Sequence, residues 1–143
     1  MTLALSQAQQ AVAAALAEAR ASDAPPLAAI VLDAGGHPVA FAREDGASLF
    51  RFDIARAKAL GALGMGADTD VLAGRAQKNP VFFGSLSAVV GGQIAFSPGG
   101  VLIRDPAGVL IGAIGISGDT GERDMEFAKA GIAALDFNKG SSA

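Results

Sequence analysis

Apolar positions along the chain switch repeatedly between helical and strand-like spacing. Val12, Leu16 and Ala19 recur on one helical face, which predicts a helix over 6–21 that the proline pair at 25–26 stops. Ser6 and Gln9 carry the spacing of a capping box at its start. The run 27–32 is continuously apolar and reads as a strand buried on both faces. A turn around Gly35-Gly36-His37 returns the chain as a second strand over 38–43. Phe50, Ile54 and Ala57 then predict a helix over 48–63, with Arg51 and Lys58 off its apolar face. A short helix over 69–76, capped by Thr69 or Asp70, and a loop over 79–83 follow. Strands are expected at 91–96, 101–104 and 109–116, and a last helix over 121–137 with Met125, Ala128 and Ile132 inward. Residues 138–143 read as a frayed tail.

The order α-β-β-α-(α)-β-β-β-α has hairpins where a parallel fold would alternate strands and helices. It predicts an α+β domain spanning 1–143, with one antiparallel sheet of about five strands flanked by helices.

Composition narrows the chemistry. The 143 residues are 51% hydrophobic and 17% charged, enough to bury a core in one domain. No cysteine is present, which excludes a disulfide, a thiolate nucleophile and a cysteine zinc site. One histidine cannot build a multi-histidine metal site, and no Ser-His-Asp spacing can be argued around it. A net charge of −3 argues against a nucleic-acid partner. No apolar run approaches the roughly 20 residues of a membrane span, so a cytoplasmic protein is expected. Gly112-x-x-Gly115-x-x-Gly118 lies within a strand and lacks dinucleotide-site spacing, so these glycines read as packing positions.

Four blocks carry a family resemblance: 31–37 (Val-Leu-Asp-Ala-Gly-Gly-His), 41–47 (Phe-Ala-Arg-Glu-Asp-Gly-Ala), 96–103 (Phe-Ser-Pro-Gly-Gly-Val-Leu-Ile) and 112–118 (Gly-Ala-Ile-Gly-Ile-Ser-Gly). In that order they resemble the GlcG/HbpS or haem-degrading domain family, which also forms the C-terminal domain of PduO-type adenosyltransferases. The resemblance implies a profilin- or PAS-like architecture, a homo-oligomer and a small-molecule ligand, haem among the candidates. The residues offer no clear axial ligand for haem iron. The N-terminal helix has no histidine, His37 lies in a turn, and Met65 and Met125 stand alone.

Candidate site residues cluster around two turns. Ser97-Pro98-Gly99-Gly100, following Phe96, is a turn whose backbone N–H groups could hold an anion, with Phe96, Pro98, Gly99 and Gly100 as ligand contacts and Arg104 as a carboxylate clamp. The plainer roles are a hairpin turn and, for Arg104, an ion-pair partner for Asp105, Glu122 or Asp124. Arg43 and Asp45 alternate to one side of the second strand and are expected to frame a pocket edge. Glu122, Asp45 and Lys58 are the candidates for moving a proton, with capping and a surface lysine as the plainer roles of Glu122 and Lys58. The leading expectation is a small-molecule-binding protein with a pocket between the sheet and the second helix, for a haem-like ligand or a small organic acid. The alternatives are a cofactor-independent isomerase, lyase or hydratase of a carboxylated metabolite, and a structural accessory subunit.

Overall fold

A computed structural model describes residues 2–137, and the tail expected at 138–143 lies outside them. Helix α1 (Leu5–Ala21) precedes the hairpin β1 (Ala28–Asp33) and β2 (Pro38–Arg43). Helices α2 (Arg51–Met65), α3 (Thr69–Lys78) and α4 (Pro80–Val89) follow. Strands β3 (Gly100–Arg104) and β4 (Leu110–Ser117) and helix α5 (Gly121–Ala133) complete the chain. The strands form one antiparallel sheet in the order β2-β1-β4-β3, an α+β architecture.

Alternation along the strands assigns the two faces. Ala29, Val31, Ile114, Ile116, Val101 and Ile103 pack with α1 and α5, where Phe127 is fully buried. Ala28, Ile30, Leu32 and Ala113 meet Ala55 and Ala59 of α2 on the other face. β1 is therefore covered on both sides, as its unbroken apolar run implies. Gly115 and Gly100 let α2 lie at backbone contact with the sheet. A Cβ at Gly115 would strike the Ala55 carbonyl, and one at Gly100 the Lys58 carbonyl.

Four strands are present among the described residues where about five were expected. The segment 91–96 is not a strand. Gly91 and Gly92 both take positive φ at the end of α4, and the Ala95 N–H donates to the Ala57 carbonyl of α2 instead of to a strand. The expected loop at 79–83 is the first turn of α4, with Pro80 at a position where its missing N–H matters little. At α1 the cap is displaced from Ser6: the Ala4 N–H donates to Gln7 Oε1 at 2.9 Å. At α5 the cap is Thr120, whose hydroxyl accepts the Arg123 N–H, so Glu122 is not part of a box with Asp119.

The two sheet edges differ. Along β3, side chains from the start of α3 occupy the outer N–H groups: Gly100 donates to Thr69 Oγ1 (2.8 Å) and Leu102 to Asp68 Oδ1 (2.9 Å). Thr69 and Asp68 thus serve the sheet edge, and Thr69 is not spent on capping its own helix. β2 is the other outer strand, and no strand among the described residues pairs beyond it. Among the described residues, no helix is long and apolar enough to cross a membrane.

Candidate functional site

Helix α1 and strand β2 run side by side. From Gln9 to Arg20 the helix rises about 16 Å at ~1.5 Å per residue. From Val39 to Glu44 an extended chain covers about 16 Å at ~3.3 Å per residue. The two elements therefore keep pace, and a salt bridge of 2.9 Å between Arg20 Nε and Glu44 Oε2 pins their ends. Between them lies a groove of about 500 Å³ lined by Gln9, Val12, Ala13, Leu16 and the strand residues Val39, Ala40, Phe41 and Ala42. Its lining is apolar except for Gln9. Ala13 is exposed on the helix, and Phe41 is 44% exposed with its ring edge-on to Phe52 at 4.9 Å.

The next residues along both elements line a second cleft of about 400 Å³, formed by Arg20, Pro26, Arg43, Glu44 and Asp45. Arg20 and Glu44 are committed to structure there. Glu44 Oε1 accepts the Leu27 N–H at 2.9 Å, and Arg20 Nη2 donates to the Pro25 carbonyl at 2.9 Å. Arg43 and Asp45 are exposed, and their side chains make no hydrogen bond or ion pair with the described residues. The apolar groove thus adjoins a cleft whose lining includes Arg43, a guanidinium with no internal partner. A third cleft of about 300 Å³ lies below the β1–β2 turn, between Leu3, Asp33, Gly35, Val39 and Ile111.

The remaining residues singled out from sequence lie elsewhere. Gly99 and Gly100 are buried beneath α2, and the Gly100 N–H is already donated to Thr69. Pro98 packs against Gly121, and Phe96 stands edge-on to Phe83 at 4.9 Å. Arg104 is exposed at the opposite end of the sheet from Arg43, where its guanidinium donates to the Gly108 carbonyl at 3.2 Å. The pocket imagined between the sheet and α2 is closed by the helix's backbone contact with Gly100 and Gly115. Of the three proton-transfer candidates, only Asp45 lines any of the clefts above.

Lys58 is neither a surface residue nor a pocket base. Its side chain is 4% exposed, and its ammonium donates to Asp124 Oδ2 (2.9 Å) and to the Ile116 carbonyl (3.0 Å). Burial holds the Asp124 carboxyl above its ordinary value, while Lys58 and the N–H groups of Asp119 and Gly118 pull it the other way. Glu122 is exposed at the start of α5. The groove itself was missed in the sequence. Its signal was there in β2, whose 39–42 run is wholly apolar although the strand is an exposed edge.

The fold has counterparts among known proteins. The family model for Haem degrading protein HbpS-like matches residues 3–133. The corrinoid adenosyltransferase PduO of Citrobacter freundii is 33% identical over 135 residues, which are 94% of this chain and 39% of that protein. PduO of Salmonella typhimurium is 34% identical over 110 residues, 77% of this chain and 32% of that protein. The chain thus spans about a third of the length of the curated relatives it matches. The crystal structure of a PduOC:heme complex superposes with a TM-score of 0.86 at 29% identity, covering 95% of this chain and 96% of that one. A double mutant of Streptomyces reticuli HbpS gives 0.83 at 29% identity, covering 95% and 88%.

Proposed function

The chain belongs to the HbpS-like haem-degrading protein family, and on that premise we propose that it binds a flat, largely apolar small molecule carrying carboxylates. The α1–β2 groove with Arg43 at its end is the observation that carries this reading. Its volume of about 500 Å³ falls within the 300–1,000 Å³ typical of ligand sites. Its walls bury an apolar body, and a guanidinium without internal partners is free to take a carboxylate in bidentate fashion. Between a haem-like ligand and a small organic acid, the length and apolarity of the groove favour the haem-like one. The heme complex of PduOC, a protein of the same fold, supports that choice.

The groove fits the body and the acid groups of a tetrapyrrole, but not its iron. Iron in haem proteins takes an axial His, Met, Cys or Tyr, and none of these lines the groove. The single histidine, His37, has an 80% exposed side chain at the β1–β2 turn, with Nδ1 3.3 Å from Asp33 Oδ1. Met125 is buried in the core at 6% exposure, and Met65 lies on α2, across the sheet from α1.

A homo-oligomer is part of the proposal. Val81 and Val89 of α4 are each 81% exposed and Phe82 is 52% exposed, an apolar face that a second subunit would cover.

Titration of the purified protein with haemin, followed at the Soret band, tests the reading. Saturable binding is expected for the native chain, and weakened binding for Ala13→Trp, which fills the groove from an exposed helix position. Equal binding by both proteins would place the ligand elsewhere.

A further inference from the structure

The mismatch between the groove and haem iron has its own consequence, which rests on the reading just given. We infer that the groove recognises a planar carboxylated macrocycle by its rim and its acid groups, with no protein ligand to a central metal. Metal-free and metal-bearing forms of the same ring then bind alike.

Three observations support this. First, the donor atoms lining the groove are few and of the wrong kind. Gln9 supplies the one polar side chain, an amide, and the other seven lining residues are Val, Ala, Leu and Phe. Second, the residues able to bind iron are held elsewhere. His37 is tied to Asp33 at the turn, Met125 is sealed against the α1–α5 core, and Met65 sits on the helix covering the other sheet face. Third, the binding groups that are available act on the ligand's periphery. Apolar side chains of α1 and β2, Val12, Leu16, Val39, Ala40 and Ala42 among them, cover the apolar body, and Arg43, in the adjoining cleft, is free to pair with a carboxylate. Binding in such a site comes from removing the apolar ring from water and pairing its acid groups, neither of which depends on the metal.

The test is a parallel titration of the whole chain with haemin, metal-free protoporphyrin IX and zinc protoporphyrin. Haemin absorbance and porphyrin fluorescence are the readouts, repeated for His37→Ala and Met65→Ala. The expected result is three dissociation constants within about threefold of one another. Neither substitution should change them or the haemin spectrum. Haemin binding tighter than the metal-free ring by more than about tenfold, with the difference lost in either variant, would overturn the inference. It would leave the groove reading standing. If none of the three rings binds, both fail.

Discussion

The Lys58 ammonium and the Asp124 carboxylate meet at 2.9 Å with 4% and 1% of their side chains exposed. This pair links α2 to α5 around the end of β4, because Lys58 also donates to the Ile116 carbonyl. Removing one partner leaves the other charge buried and alone, which typically costs about 3–5 kcal/mol. Lys58→Met and Asp124→Leu are each expected to destabilise on that scale in denaturant unfolding. The double variant should lose clearly less than the sum of the two. Additive losses would show that the two charges are not coupled.

The β3 edge gives a second expectation. Thr69 accepts the buried Gly100 N–H and donates its hydroxyl to the Gly100 carbonyl at 3.3 Å. Thr69→Val keeps the shape but leaves that N–H without a partner. A loss of about 1–3 kcal/mol is expected in equilibrium unfolding. An unchanged midpoint would mean that water or another group replaces the hydroxyl.

The β1–β2 turn predicts a pH dependence. Asp33 Oδ1 accepts the N–H groups of His37 (2.9 Å) and Gly35 (3.0 Å), and the His37 N–H most strongly holds its carboxyl below the ordinary value of 3.8. A lowered folded value means that the stabilisation is present above the unfolded value and is lost as pH falls through the folded one. Asp33→Asn should therefore lower Tm at neutral pH, with the gap to the native chain closing as pH falls below 3.8. A gap that stays constant down to strongly acid pH would contradict this.

Much of the architecture was legible because local signals and tertiary context agreed. The apolar run of β1, the Gly-Gly turn and the small residues of β4 each led to what the structure shows. Where the reading failed, long-range contacts decided the outcome. Residues 91–96 have strand composition, yet Ala95 is bonded to α2 and the two glycines before it turn the chain. Lys58 looked like a surface lysine because its partner Asp124 is 66 residues away. The site was the least legible part. Arg43 and Asp45 do share a cleft, but the other wall comes from α1, and no spacing in the sequence announces that Leu16 and Ala42 face one groove.

The two arginines singled out from sequence should now behave differently. Arg43→Ala removes the free guanidinium at the groove end and is expected to weaken haemin binding. Charge-assisted hydrogen bonds are worth about 1.5–3 kcal/mol, or about ten- to a hundredfold in Kd. Arg104→Ala, which loses only its contact with the Gly108 carbonyl, should leave binding unchanged. The reverse ranking in Soret titrations would move the site to the far end of the sheet.

Mapping the ligand on the backbone amides is the most direct check on the location of the site. Isotope-labelled protein would be titrated with zinc protoporphyrin, and the amide shifts followed by NMR. Shifts concentrated in Gln9, Val12, Ala13 and Leu16 of α1 and in Val39 to Arg43 of β2 are the expected result. Shifts centred on Gly99, Gly100 and Arg104, with α1 and β2 silent, would contradict the groove as the binding site.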